Sequence, residues 1–302
     1  MELTQTPLTQ SFRRWRPEVW LSLLAVYFIW GSTYLGLRIA LESFPPFMLV
    51  GTRFIIAGGL MLAWLRWRGE PMPTRQEWLH AGIAGMLLLG VGNGGVTFAE
   101  QWVSSALAAA VIATSPLWTA LFSGLFGHWP TRREWVGIVL GLVGVILLNL
   151  EGELRAAPLG AIALVLAPIG WSLGSVLSRY KLNLPKGPMS SAAEMLVGGI
   201  GLSIISVWQG EQLGPLTVPA VSAWLYLIVF GSLVAFTAYM FLIRTVRPSL
   251  ALSYTYVNPV VALGLGLLFA DGAITGFGLL GLGVILVGVV VITLARSSSN
   301  SS

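Results

Sequence analysis

The chain repeats itself. Displaced by 141 residues, Trp30 falls on Trp171, Arg38 on Arg179, Trp67 on Trp208 and Glu70 on Glu211 without a gap. Farther on, Leu107–Phe126 (LAAAVIATSPLWTALFSGLF) falls on Leu250–Phe269 (LALSYTYVNPVVALGLGLLF), with Pro116 on Pro259. Both copies are apolar along most of their length. Any fold must therefore place the same apolar unit twice.

With 56% hydrophobic and 10% charged residues and a mean hydropathy of +0.82, the chain falls far below the charge content of a soluble domain, roughly a quarter. An integral membrane protein is implied. The sequence has no cysteine, which excludes a disulfide, a thiol nucleophile and a thiolate metal site. The net charge of +5 comes from arginines and lysines at the ends of apolar runs, so it is a topology signal and no nucleic acid partner is expected. The first apolar run is followed by Arg38 and the charged turn Glu42–Pro46, so it reads as a span and not as a cleavable leader.

A span needs roughly 20 apolar residues. Ten such stretches stand at about 19–40, 47–67, 78–98, 103–126, 134–150, 158–178, 189–209, 220–243, 250–270 and 276–295. Pro, Gly or charge ends most of them, as at Pro45-Pro46, Pro71, Pro130, Pro185–Pro188 and Asp271-Gly272. Positive charge gathers on one side: Arg13, Arg14, Arg16, Arg66, Arg68, Arg75, Arg132, Arg133, Arg179, Lys181, Lys186, Arg244, Arg247 and Arg296. The other side has Arg155 with Glu42, Glu100, Glu151, Glu153, Glu211 and Asp271. Both termini are thus expected in the cytoplasm, as tails 1–18 and 297–302. The expected fold class is an all-α membrane protein of ten transmembrane helices. Its first five-helix repeat is 19–150 and its second 158–295, joined by a linker near Glu151–Pro158. An odd number of spans per copy makes the two repeats enter the membrane from opposite sides, an inverted repeat of the kind that secondary transporters are built from.

Ionisable groups deep in a span point to function, because a charge in hydrocarbon is costly unless paired or wet. Arg53 and Glu194 are two such groups, and they stand at equivalent positions of the repeat. Each lies about seven residues from its own end, ~10 Å deep at 1.5 Å per residue. They fall on opposite sides of the midplane, so a direct salt bridge is not expected. Arg53 could take a substrate carboxylate, and Glu194 an amine or a coupling proton. Each could instead be held by helix carbonyls, tyrosine hydroxyls or water and only fix packing, a reading that weighs as much as function for Arg53 and less for Glu194, which Ser191, Gly198 and Gly201 flank at helical spacing. Arg38 and Glu42 are expected to form an i,i+4 surface pair.

Trp30 and Tyr34 share one helical face with Arg38, and Trp171 and Ser175 repeat part of it. Such rings suit either a cavity wall or helix packing. Ser115-Pro116 and Asn258-Pro259 are paired helix breakers that free the carbonyls of Ile112 and Thr255, and are read as hinges in preference to static kinks. The run Gly90–Gly95 lacks the strand and the GK[ST] of a phosphate loop, so it reads as close helix approach, with Asn93 as glue or cavity lining. Tyr239, Tyr254 and Asn258 are mid-span polar positions, the last two one turn apart. Gly137, Gly141 and Gly144, and Gly278, Gly281 and Gly288, read as packing stripes.

Taken together, Ile29–Tyr34 (IWGSTY), Glu42–Pro46 (ESFPP), Arg53-Phe54, Val91–Gly94 (VGNG), Ala113–Trp118 (ATSPLW), Glu134–Asn149, Trp171–Val176 (WSLGSV), Ala193–Leu196 (AEML) and Tyr254–Val260 (YTYVNPV) carry a resemblance over about residues 20–295. The chain resembles the drug/metabolite transporter superfamily in its ten-helix type with two tandem EamA-type domains. It looks most like bacterial inner-membrane exporters of amino acids and related metabolites. The resemblance implies a cavity between the halves, open to one side at a time. It also implies that the last helix of each repeat joins the halves or two subunits. Monomer and homodimer both stay open.

Other classes fit less well. An intramembrane enzyme needs an aspartate pair, a Ser–His dyad or a zinc helix at depth. A channel more often shows a charge ring or filter loop. No nucleotide-binding motif is present, so no ATP hydrolysis by this chain and no ATPase subunit is implied. No metal and no cofactor is expected. The partners are a small-molecule substrate and the lipid bilayer. Substrate is expected to meet Trp30, Tyr34, Arg53, Asn93, Ser115, Trp118, Trp171, Glu194, Tyr239, Tyr254 and Asn258, with Pro116 and Pro259 as hinges. Proton coupling, exchange and facilitated diffusion stay open.

Overall fold

A computed structural model describes residues 17–102, 105–148, 158–269 and 276–294. Among them every regular element is helical. In hydrocarbon each backbone N–H and C=O needs a partner, and a helix supplies it from its own chain. Six helices are long and apolar enough to cross a membrane: α1 (Pro17–Ala40), α2 (Pro46–Trp67), α3 (Arg75–Ala99), α7 (Pro158–Tyr180), α8 (Pro188–Trp208) and α9 (Val218–Thr245). The rest are shorter: α4 (Ser105–Ile112), α5 (Ser115–Leu125), α6 (Arg132–Leu148), α10 (Pro248–Ala251), α11 (Tyr254–Phe269) and α12 (Gly276–Leu294). The stretches expected at 103–126 and 250–270 are each divided between two helices. Residues 151–157 of the linker, the turn at Asp271-Gly272 and most of both tails lie outside the described residues.

Helix ends follow the repeat. α2 runs out to Gly69 (φ 86°) and α8 to Gly210 (φ 69°), left-handed positions that suit glycine. Glu70 N–H donates to the Leu65 carbonyl, and its counterpart Glu211 N–H to the Ser206 carbonyl, both at 3.0 Å. The Glu211 carboxylate also accepts from the N–H groups of Phe47 (3.1 Å) and Met48 (2.7 Å). A residue of the second half thereby satisfies orphan donors at the start of α2. Thr74 and Glu77 form a capping box on α3, and Thr131 and Glu134 make the same bonds on α6.

The most extensive helix pairs join one half to the other: α2 with α8, α6 with α12, α3 with α7 and α8, and α1 with α9 and α11. A Cβ added to Gly51 would lie 3.1 Å from the Gly199 carbonyl oxygen, and one on Gly58 2.9 Å from that of Ala192. In the repeat, Ala192 is the counterpart of Gly51 and Gly199 that of Gly58, so the contact is reciprocal. The glycine stripes behave alike. A Cβ on Gly137 would lie 2.9 Å from the Gly288 oxygen, and one on Gly144 2.9 Å from the Gly281 oxygen. Backbones this close gain dispersion contacts that lipid cannot match.

Two helices depart from α geometry at equivalent places. Met86–Gly94 of α3 and Leu227–Phe236 of α9 are π-helical. The wider i→i+5 turn re-aims side chains and carbonyls, which is why such segments occur at functional sites.

Candidate functional site

Four rings from four helices meet where the halves join. Trp30 (α1) lies 4.8 Å from Tyr254 (α11), 5.3 Å from Trp171 (α7) and 5.3 Å from Tyr239 (α9), measured between ring centroids. Trp171 and Tyr239 are 5.1 Å apart. Edge-to-face and tilted contacts of this kind add to the gain from burial alone. The π segments hold the tryptophans. Trp30 Nε1 donates to the Gly231 carbonyl at 3.0 Å, and Trp171 packs on Gly92, where a Cβ would come within 2.9 Å of its ring. The Tyr239 and Ser175 hydroxyls share a hydrogen bond of 2.5 Å.

Beside the rings lies a cavity of about 60 Å³. Trp30, Tyr34, Asn93, Trp171, Tyr254 and Asn258, all expected from the sequence, line it together with Thr33, Leu37, Gly92, Val96, Ile112 and Ala167. Thr33 and Leu37 were legible, being three and seven residues beyond Trp30 on one helical face. Asn93 Oδ1, Asn258 Oδ1 and Trp171 Nε1 are buried without a hydrogen-bond partner. Buried polar atoms are normally satisfied, so three orphans in the wall of one cavity mark a place for water or ligand. A water needs roughly 10–15 Å³ and a ligand pocket spans about 300–1,000 Å³. The cavity thus has room for a few waters and is smaller than a metabolite pocket.

The remaining expected residues stand elsewhere. Arg53, 1% exposed, donates from Nε to Ser232 Oγ at 2.7 Å and lies 4.8 Å over the Phe54 ring, with Nη1 unpartnered. It sits behind the cavity wall, since a Cβ on Gly231, whose carbonyl holds Trp30, would come within 2.8 Å of its Nη2. Glu194, 0% exposed, accepts from Ser190 Oγ at 2.5 Å and lies 3.7 Å from Arg244 Nη2. Arg244 in turn donates to Ser190 Oγ at 2.5 Å. Arg53 and Glu194 form no direct bridge with each other. Arg244 as the partner of Glu194 was not anticipated, because nothing local relates positions 50 residues apart. The surface pair expected between Arg38 and Glu42 is not within 4 Å, because α1 ends at Ala40 and Glu42 falls in a turn, out of helical register.

Ser115 Oγ donates at 2.6 Å to the Ile112 carbonyl, the one that Pro116 frees, and the Ser115 carbonyl accepts from Ser172 Oγ at 2.9 Å. Pro116 follows the break at Ala113–Thr114. Pro259, its sequence counterpart, lies inside α11, and the chain breaks earlier at Leu252-Ser253. Trp118 stacks on Phe122 at 6.4 Å and does not line the aromatic cavity. Among the described residues no group of three or more His, Cys, Asp or Glu is placed to hold a metal ion.

Known proteins of this kind are recognisable. Residues 18–150 and 158–294 each match the EamA-like transporter family. The uncharacterized inner membrane transporter YedA of Escherichia coli (strain K12) is 48% identical over 279 residues, covering 91% of this chain and 90% of YedA. The uncharacterized transporter YoaV of Bacillus subtilis (strain 168) is 23% identical, covering 85% of this chain and 90% of YoaV. A protein of solved crystal structure shares the fold with a TM-score of 0.75 at 23% identity, over 92% of this chain and 98% of its own. With two matched repeats and six helices able to cross a bilayer, the chain belongs to the EamA-like transporter family of the drug/metabolite transporters, as a multi-pass inner-membrane transporter and not an enzyme.

Proposed function

We propose that this protein exports small amphipathic metabolites, amino acids or related compounds, by alternating access. Ten spans in two inverted five-helix repeats, with both termini in the cytoplasm, would rock about the aromatic cavity. The observation that carries this reading is the cavity itself: aromatic faces, orphan amide oxygens and an orphan indole N–H gathered where α1, α3, α7 and α11 meet. Rings with polar tips suit a molecule that has both an apolar body and charged ends. The reciprocal contacts of Gly51 and Gly58 with Gly199 and Ala192 support the inverted arrangement. Arg53, behind the wall with an unpartnered Nη1, would reach a carboxylate once Gly231 moves.

Glu194 is tied to Ser190 and Arg244 and does not line the cavity, which favours exchange or facilitated diffusion over proton coupling through this carboxylate. Pro116 at its break and Pro259 inside α11 would serve as unequal hinges. Counterflow of labelled amino acids in proteoliposomes tests the proposal. Saturable, stereoselective flux lost in Trp30→Ala and Trp171→Ala is expected. Absence of flux for every amino acid tried, with a protein that binds none, would refute the cargo class.

A further inference from the structure

The structure holds a second and larger cavity, of about 300 Å³. It is walled by Thr119 and Ser123 of α5, Glu134 of α6, Arg179 at the end of α7 and Arg247 just before α10. The two cavities lie on either side of the α4–α5 break: Ile112 lines the aromatic one and Pro116 the second.

Charge and hydrogen bonding in it are unbalanced. Glu134 is buried and fully engaged, accepting from Arg247 Nη1 at 2.8 Å, from Thr131 N–H at 2.8 Å and from the Ser249 hydroxyl. Its charge is thus matched by Arg247. Arg179 donates from Nη1 to the carbonyls of Ile243 and Val246, and among the described residues no carboxylate lies within 4 Å of it. The wall is left with one cation, Arg179, that is set against the partial charge of helix-end carbonyls and has no carboxylate partner among the described residues. Thr119 (1% exposed) and Ser123 (3%) carry hydroxyls with no hydrogen-bond partner. Buried donors without acceptors are costly unless something else completes them. The volume reaches the range of about 300–1,000 Å³ in which ligand pockets fall.

We propose that this cavity is a second binding site, which takes the carboxylate of a small organic acid or zwitterion. Arg179 supplies the charge, and the Thr119 and Ser123 hydroxyls donate to the carboxylate oxygens. The site rests on the transport reading for its place at the cytoplasmic end of the path, ahead of the break that separates it from the aromatic cavity. Its chemistry does not depend on that reading.

The natural absence of cysteine makes a direct test available. Ser123→Cys in inside-out vesicles is modified with an anionic sulfonatoethyl and a cationic trimethylammonioethyl methanethiosulfonate, each rate normalised to a free thiol in solution. The anionic reagent is expected to be favoured roughly tenfold, the lower end of electrostatic focusing in a charged cleft. Arg179→Gln should abolish the preference and Arg179→Lys should keep it. Benzoate should slow the labelling, and benzylammonium at the same concentration should not. Equal normalised rates, a cationic preference or equal protection by the two aromatic ions would overturn the site. Labelling only in right-side-out vesicles would overturn its cytoplasmic placement. If Ser123→Cys does not fold, Thr119→Cys reads the same cavity. A charge preference that persists where counterflow fails would leave this site standing and the transport reading refuted.

Discussion

Trp30 and Trp171 meet edge to face, their ring centroids 5.3 Å apart and their planes at 81°. They are sequence counterparts, and each also leans on the π segment of the opposite half: Trp30 on Gly231 and Trp171 on Gly92. Each half therefore steadies a tryptophan of the other, the device being a hydrogen bond to Gly231 for Trp30 and ring packing on Gly92 for Trp171. Moving either π segment moves the tryptophan it holds.

Gly92→Ala tests that device. The new Cβ would lie 2.9 Å from the Trp171 ring, and the ring can yield only toward a cavity of about 60 Å³. Overpacking of this kind costs about 1–3 kcal/mol. Where about 1.4 kcal/mol of that cost falls on one conformation of the cycle and not the other, counterflow is expected to fall by about tenfold, while the protein stays monodisperse. Gly90→Ala is the control. Its Cβ meets only the flexible end of Met86, so flux should stay close to wild type.

The α2–α8 seam makes a second pair of neighbours that should behave oppositely. A Cβ on Gly58 would lie 2.6 Å from the backbone nitrogen of Leu196, whereas Gly59 has nothing within 4 Å. Gly58→Ala forces two helix backbones apart and should cost about 1–3 kcal/mol. Gly59→Ala should be neutral or stabilise by about 0.5–1 kcal/mol through helix propensity. Thermal unfolding in detergent, followed by the loss of the monodisperse peak, separates the two. Equal melting points would mean that the seam is looser than these contacts.

Glu211 and Glu70 occupy the same place in the repeat but not the same environment. Glu211 accepts from two backbone N–H groups of α2, and Glu70 is exposed. Glu211→Ala removes a cap that joins the halves and should destabilise by about 0.5–2 kcal/mol. Glu70→Ala should stay within about 0.5 kcal/mol of wild type, as surface changes do. The same melting assay reads both.

Much of this was legible because the repeat and the helical period are local signals. Trp30 and Tyr34 share a face by spacing, Trp171 follows from the displacement, and all three line the cavity. The glycine stripes of α6 and α12 meet as their spacing suggests. What could not be read depends on packing between distant segments. The π segments share Gly90 with Gly231 and an apolar start but differ after it, where Asn93 corresponds to Val234, and apolar residues with one glycine do not distinguish a π turn from an α turn. Pro116 and Pro259 are alike in sequence. Ser115 and Ser172 brace the first against a neighbouring helix, whereas the second stays within a continuous helix. Arg53 and Glu194 are equivalent and buried, and both bond a serine hydroxyl, yet Glu194 also lies beside an arginine. That both would be buried was readable; the partner was not.

That last contrast gives the final test. Arg244→Gln would leave the Glu194 carboxylate, with Oε2 already unpartnered, facing a neutral amide. Removing one member of a buried pair leaves an uncompensated charge and should cost about 2–3 kcal/mol here, at or below the usual range because Arg244 is partly exposed. Glu194→Gln should cost less, because an amide oxygen can still accept from Ser190 and no buried charge remains. The double variant should then be more stable than the sum of the two losses predicts, by about 1 kcal/mol or more, within the coupling seen for residues in contact. Additive losses would mean that the two side chains do not interact and that Glu194 is free for another task. Because the pair stands outside the aromatic cavity, flux through Glu194→Gln should survive wherever the protein folds. Loss of flux without loss of stability would bring the carboxylate back into the transport cycle, as an amine contact or a proton carrier.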